Sequence, residues 1–247
     1  MGLIVDLHGG VATLTLDRPE TLNALDWELL RALDATLASC ATHPRVRCVV
    51  LTGAGERAFC AGVDLQTGAE LTAASAREWI RLGHRVCNRL ATLPQPVLAA
   101  IRGHVLGGGL ELALACDLRL LGDDAQVGLP LAARGWPPGW GGLRRLQSLV
   151  GPARARRLAL LAEPIRAPEA LTWGLAQWVV PAPFLGQEAT GLGQRLAAGE
   201  PEAVLRMKGE LAAPGLVSDA AAVAADEAAL AALAEDAAFK ALIASLR

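Results

Sequence analysis

From Leu3 to Asp17 apolar and polar residues alternate around His8-Gly9-Gly10, the pattern of a β-hairpin, with Val11, Leu14 and Leu16 supplying strand character. The period then changes. Asn23 to Ala41 carries Leu25, Leu29, Leu30, Leu33 and Leu37 at helical spacing, and Arg47 to Thr52 is an apolar, β-branched run that ends at Gly53. The alternation repeats, predicting a helix over Ala74 to Thr92, a strand over Pro96 to Ile101, a helix over Gly107 to Cys116 and a strand over Asp117 to Leu121. Helices alternating with apolar strands predict an α/β core. From Gly141 onward the pattern is helical except at Trp178-Val179-Val180. The alanine-rich stretch from Pro201 to Arg247 keeps an apolar face in Leu211, Val223, Leu230, Leu233, Phe239, Leu242 and Ile243. This divides the chain into a core over 1–190 and a helical part over 191–247, with no internal repeat.

Composition narrows the class of function. The chain has 247 residues, of which 53% are hydrophobic, which is ample for a packed core. Its formal net charge is −2 and its basic residues are scattered, so no nucleic-acid surface or anionic membrane is expected as a partner. Five cysteines (Cys40, Cys48, Cys60, Cys87, Cys116) form no C-x-x-C pair, and no basic-then-apolar leader follows Met1, so a reduced, cytoplasmic protein is expected. Charged residues such as Arg102, Glu111, Glu163 and Asp219 interrupt the apolar stretches before the roughly 18 to 20 residues of a membrane helix, so no membrane association is expected. No metal site is expected.

The chemically richest stretch is Gly107-Gly108-Gly109-Leu110-Glu111, which opens a helix with bare backbone amides and sets a carboxylate two residues further in. Glycines let a ligand approach the main chain, and the first amides of a helix have no internal acceptor, so they can donate to a developing oxyanion or enolate. The alternative for the glycines is a close-packed strand-to-helix turn. No Lys-Ser or Lys-Thr follows them and the spacing is not G-x-G-x-x-G, which argues against both phosphate-binding motifs.

Four segments in order, Asp17-Arg18-Pro19-Glu20 with Asn23-Ala24-Leu25, Ala58-Phe59-Cys60-Ala61-Gly62-Val63-Asp64-Leu65, Pro96 to Ile101, and Gly107 to Asp117, resemble the crotonase (enoyl-CoA hydratase/isomerase) family. The resemblance continues through Gly128-Leu129-Pro130, Pro138-Gly139-Trp140-Gly141-Gly142, Leu149-Val150-Gly151 and Gly174-Leu175-Ala176 to Val180. It implies a spiral of ββα turns with a C-terminal helical part that trimerises, assembled as a homotrimer or a dimer of trimers, and an acyl-CoA thioester as substrate. Coenzyme A then enters as part of the substrate and no separate cofactor is implied. By motif position, the Val63 and Gly108 amides would form the oxyanion hole, and the Ala61 carbonyl would meet the adenine. Arg18 falls where the family receives the nucleotide end of coenzyme A; a solvated turn residue is the other reading.

Glu111 matches the first of the two glutamates with which the hydratases hold water and move protons. A glutamate among Leu110, Leu112 and Leu114 is costly to bury without a purpose, which favours a catalytic role over a surface position. The second glutamate follows a proline in the hydratases, and here that pair is Pro130-Leu131. Ala125 to Arg145 holds no Asp, Glu, His, Cys, Ser or Tyr to replace it. A single-glutamate enoyl-CoA hydratase/isomerase is the reading carried forward; decarboxylation of malonyl-type thioesters and non-catalytic acyl-CoA binding are the alternatives. Apolar Leu131, Trp136 and Trp140 would suit a dry substrate pocket, while packing of the Pro/Gly-rich turn is the competing account of both tryptophans. His84 lies twelve residues before Pro96, where the family's dehalogenases place an active-site histidine, and a satisfied helical histidine is the alternative. His104, Asp64 and Asp117 read as structural. Lys240 and Arg247 are the basic residues that could reach a phosphate from the tail, and neither is assigned to the site.

Overall fold

The computed structural model describes residues 2–211, 220–235 and 237–245. The chain opens with β1 (Leu3–His8) and β2 (Val11–Leu16), joined through Gly9 and Gly10 at φ +56° and +82°. Positive φ at both turn residues is what a two-residue hairpin needs, and glycine adopts it without strain. There follow α1 (Trp27–Thr42), β3 (Cys48–Gly53), β4 (Ala58–Cys60), α2 (Leu65–Ala69), α3 (Ala73–Thr92), β5 (Val97–Ile101), β6 (His104–Leu106), α4 (Gly108–Ala115), β7 (Leu118–Gly122) and β8 (Gln126–Gly128). The rest is α5 (Gly142–Leu161), β9 (Ile165–Arg166), α6 (Ala167–Thr172), β10 (Trp178–Val180), α7 (Leu185–Ala197), α8 (Pro201–Leu211), α9 (Ala220–Glu235) and α10 (Ala237–Ser245).

The strands form two sheets. The larger runs β1-β2-β3-β5-β7-β10 and is parallel except for the opening hairpin; the smaller runs β4-β6-β8-β9 and is parallel except at β8 and β9. The mixed α/β class expected from the pattern is present. Strand alternation sorts the larger sheet's side chains into two cores: Ala12, Leu14, Leu16, Val49 and Leu51 face α1 and α3, while Val11, Cys48, Val50, Leu98 and Leu120 face Leu185 and Ala189 of α7. Burial on both faces is why β3 and β5 read as continuous apolar runs rather than alternating ones.

Several sequence expectations shift by a few residues, each for a local reason. The first long helix begins at Trp27 rather than Asn23, because the Asp26 side chain accepts from the Leu29 amide at 2.8 Å and caps it there. Asn23 sits instead in a loop at φ +56°, fully buried, donating to the Ala54 and Ala58 carbonyls at 2.9 and 2.7 Å. Four strands of two or three residues (β4, β6, β8, β9) escape the sequence pattern, being too short to show a period; β9 also interrupts the helical run expected after Gly141. The division drawn after residue 190 falls inside α7. In the tail, Leu230 is fully buried and Leu211 is 80% exposed. The side chains of Leu233, Phe239, Leu242 and Ile243, and all of Arg247, lie outside the described residues. Lys240 sits 3.8 Å from Glu235.

The tail helix α9 lies along α3, where Glu227 pairs with Arg81 at 2.5 and 3.1 Å and the Glu235 side chain accepts from the Ala73 amide at 2.8 Å. A second tie joins α8 to the sheet: Asp117 accepts from the Val97 amide and from Lys208, each at 2.7 Å.

One buried cation holds the middle of the fold. Arg119 on β7 is 2% exposed and donates to the carbonyls of Leu175, Cys116 and Ala113 at 2.6, 2.7 and 3.2 Å, joining the end of α4 to the loop before β10. Burial lowers its pKa. Arg119→Ala removes these donors from buried carbonyls and is expected to lower the unfolding free energy by about 3 kcal/mol in urea denaturation.

All five cysteines are free and buried. Burial pushes the Cys48, Cys60, Cys87 and Cys116 thiols up from 9.0 to about 12. The unfolded chain releases these protons near pH 9 and the folded chain keeps them, so above pH 9 the unfolded state binds fewer protons and stability falls as pH rises. The expected loss is roughly 1 kcal/mol per thiol per pH unit between 9 and 12, measurable as a falling urea midpoint. The chain has no tyrosine, which leaves that window free of phenol titration.

Candidate active site

Two loops meet over α4. The first leaves β4 through Ala61, Gly62 and Val63; the second leaves β6 through Gly107 into Gly108. They come together because β4 and β6 pair in parallel, Cys60 opposite Val105. Val63 is pinned against Leu25: the Leu25 amide donates to the Gly62 carbonyl at 2.8 Å and the Leu25 carbonyl accepts from the Asp64 amide at 2.9 Å. In such a bridge the N–H of Val63 itself points away from Leu25, toward the cleft. Gly108 is the first residue of α4, so its N–H has no intrahelical acceptor. Gly107 precedes it at φ +51°, ψ −122°, a conformation open only to glycine. A Cβ at Gly62 would lie 3.4 Å from the Gly108 nitrogen, which measures how close the loops run.

Glu111 sits in the first turn of α4 and is 5% exposed. Its Oε1 accepts from the Gly142 amide at 3.1 Å. Gly142 must be a glycine, since a Cβ there would overlap the Glu111 carboxyl.

The loops, α3 and the segment from Pro130 to Trp140 line one cleft. It brings together seven of the residues singled out in the sequence: Ala61, Val63, Gly108, Glu111, Leu131, Trp136 and Trp140. Arg18 is not in the lining. Its guanidinium donates to the Ala24 carbonyl at 2.7 Å and pairs with Asp64 at 3.0 Å and Asp26 at 3.2 Å, bracing the loop that presents Val63. His84 is 2% exposed in α3 and lies outside the lining too. Asp64 does line the cleft, yet its carboxylate caps α2, accepting from the Gln66 and Thr67 amides at 2.9 and 3.2 Å. Among the described lining residues, Glu111 is therefore the carboxylate left for chemistry.

Sequence reasoning passed over Trp79, Ile80 and Arg134, which also line the cleft. Trp79 and Ile80 sit at core positions of a helical repeat, and that repeat gives no sign that one side of α3 meets a cleft. Trp140 is the most conspicuous of the lining residues. It is 2% exposed and holds φ +51°, a backbone state that costs a non-glycine residue about 1 kcal/mol or more. Its buried Nε1 has no hydrogen-bond partner among the described residues, a further penalty of about 1 to 3 kcal/mol. Arg145, 3% exposed, holds the turn by donating to the Trp140 carbonyl at 2.6 Å and to the Asn88 side chain at 3.0 Å. Among the described residues no group of His, Cys, Asp and Glu could hold a metal ion, and no helix is long and apolar enough to cross a membrane.

This geometry has close counterparts. A family model described as enoyl-CoA hydratase/isomerase matches residues 6–245. The short-chain-enoyl-CoA hydratase of Clostridium acetobutylicum is 38% identical over 202 residues, covering 82% of this chain and 77% of that one. The crotonyl-CoA hydratase of Syntrophomonas wolfei is 37% identical over 178 residues, 72% of this chain and 68% of the relative. Among solved structures, an enoyl-CoA hydratase from Bacillus anthracis superposes with TM-score 0.84 at 35% identity over 93% of this chain and 89% of that one. One from Mycobacterium avium subsp. paratuberculosis does so with TM-score 0.89 at 31% identity over 98% of each.

Gly142→Ala tests whether the 3.1 Å contact positions the carboxylate. The added methyl displaces the Glu111 side chain, so turnover of the folded variant is expected to drop at least tenfold, with the thermal midpoint also lowered because both residues are buried.

Proposed function

We propose that this chain, which belongs to the enoyl-CoA hydratase/isomerase family, works on enoyl-CoA thioesters with one carboxylate where two-glutamate hydratases use a pair. The observation that carries the reading is the convergence of the Val63 and Gly108 amides with Glu111 on one cleft that Leu131 also lines.

The thioester oxygen accepts from the Val63 and Gly108 amides. As charge builds there in the enolate, each donor is worth about 3 to 4 kcal/mol in a site closed to water. Isomerisation then needs one base. The Glu111 carboxylate takes a proton from Cα of a 3-enoyl thioester, the electron pair passes through the dienolate held by the two amides, and the Glu111 carboxyl returns that proton to Cγ. The double bond moves to the 2,3 position and Glu111 ends as it began. Hydration balances with the same group: Glu111 accepts a proton from water as the hydroxyl adds to Cβ, then delivers it to Cα of the enolate. In both reactions one carboxyl serves both proton transfers, and hydration must in addition hold its water without a second carboxylate, because Leu131 offers no proton and no acceptor. Isomerisation is accordingly the faster reaction in this reading.

Arg18 contributes by holding the Val63 loop through Asp64 and is assigned no contact with the reacting atoms. The Ala61 carbonyl is read as an acceptor for the adenine end. The five free thiols fit a reducing cytoplasm. Exposed apolar side chains on α5 and α8, among them Leu160, Leu161 and Leu211, fit association into a trimer or a pair of trimers.

The test is turnover of a 2-enoyl-CoA, a 3-enoyl-CoA and methylmalonyl-CoA, followed by mass spectrometry. Glu111→Gln should lower hydration and isomerisation by about 10²- to 10⁴-fold with the fold intact. Unchanged turnover in that variant, or CO2 release as the sole reaction, would sink the reading. Leu131→Glu should raise the hydration rate relative to isomerisation, since it adds a second proton carrier to the cleft wall.

A further inference from the structure

Trp140 breaks three local rules at once. Its backbone lies in the left-handed region, its indole N–H is buried without a partner among the described residues, and its ring demands a glycine on the neighbouring helix. That glycine is Gly83 of α3, where a Cβ would overlap the pyrrole side of the indole. The benzene side of the same ring lies over Gly108, where a Cβ would stand 2.7 Å from Cζ3. The indole therefore spans from α3 to the first residue of α4. It is backed by Trp79 at 5.7 Å between ring centroids, and Trp79 stacks edge-on against Trp27 at 5.1 Å. A smaller residue would lift the demand for glycine at position 83 and remove the orphaned donor together. Features that oppose stability on several counts persist where a site fixes them.

We propose that Trp140 is a specificity-determining residue: its indole, backed by Trp79, is the end wall of the acyl pocket and restricts the substrate to short acyl chains. The inference rests on the acyl-CoA reading above. With the thioester oxygen on the Val63 and Gly108 amides and the reacting carbons at Glu111, the remainder of the acyl chain runs between Trp140, Ile80 and Leu131. The indole edge over Gly108 lies beside the oxyanion site itself, so a chain extending past the reacting carbons meets the ring and the Trp79 ring behind it. Neither ring can yield. Trp79 is fully buried, and the turn carrying Trp140 is fastened by Arg145 at 2.6 Å.

Chain-length profiles test this. Turnover of C4, C6, C8 and C10 2-enoyl-CoA thioesters is measured for the full chain and for Trp140→Ala, alongside calorimetric binding of butyryl-CoA and octanoyl-CoA. The unaltered protein is expected to prefer C4 over C8 by at least tenfold in kcat/KM and to bind butyryl-CoA more tightly than octanoyl-CoA. Trp140→Ala should abolish or reverse both preferences, because each methylene that gains an apolar berth adds about fourfold in affinity. Trp140→Leu, which keeps an apolar side chain in the turn, serves if the alanine variant fails to fold, and should shift the optimum in the same direction. A C4-to-C8 ratio unchanged in the folded variant, or no preference for C4 in the unaltered protein, overturns the inference while leaving the acyl-CoA reading standing. Failure to bind or turn over any of these thioesters removes that reading, and the inference falls with it.

Discussion

The parallel pairing of β4 with β6 is the constraint on which the rest of the cleft depends. These strands are only three residues long, yet their adjacency sets the loop carrying Val63 beside the loop carrying Gly108. Each loop delivers one amide without a local acceptor, one because Leu25 occupies the other edge of its backbone and one because a helix begins there. Backbone amides in water are poor charge stabilisers. Held in fixed positions inside an apolar cleft, they need no reorganisation when charge appears, and their effect grows as the dielectric falls.

The polar network behind the first loop explains a motif that does not touch the cleft. Asn23 ties the Ala54 and Ala58 carbonyls together, its own side-chain oxygen accepts from the Arg18 amide at 3.0 Å, and Arg18 reaches across to Asp64. Every member is partnered, which is the condition under which a buried polar network stiffens a structure rather than weakening it. The segment from Asp17 to Leu25 thus supports the Val63 loop from behind. Glu111 is held differently, by one amide of the facing loop and by its place in the first turn of a helix.

Departures from local preference concentrate around this cleft. Gly107 adopts a glycine-only conformation, Glu111 is a carboxylate among leucines, and Trp140 combines a left-handed backbone with an unpaired donor. Local preference is also broken at Leu22, Asn23 and Ala162, which hold positive φ, while Asp26 and Asp64 cap their helices, alternation sorts the strands' faces and the thiols are buried. Such strain is tolerated only where surrounding structure fixes it, as Arg145 fixes the turn at Trp140.

The sequence by itself determined the α/β class, the order of the long elements, the setting of Gly107, Gly108 and Glu111 at a helix start, and Leu131 rather than a carboxylate after Pro130. Those features are written in apolar period and in residue type at fixed spacing, which are local properties of the chain. Four short strands were invisible because two or three residues carry no period, and the start of α1 was misplaced because a buried Asn23 answers to carbonyls thirty residues away. The structure alone decided that Arg18 braces a loop outside the cleft, that Trp79 and Ile80 face the cleft from a helix whose repeat marks them as core, and that Trp140 leans on Gly83. Each of these depends on which segments lie side by side, and contacts between distant segments leave no period in a single sequence.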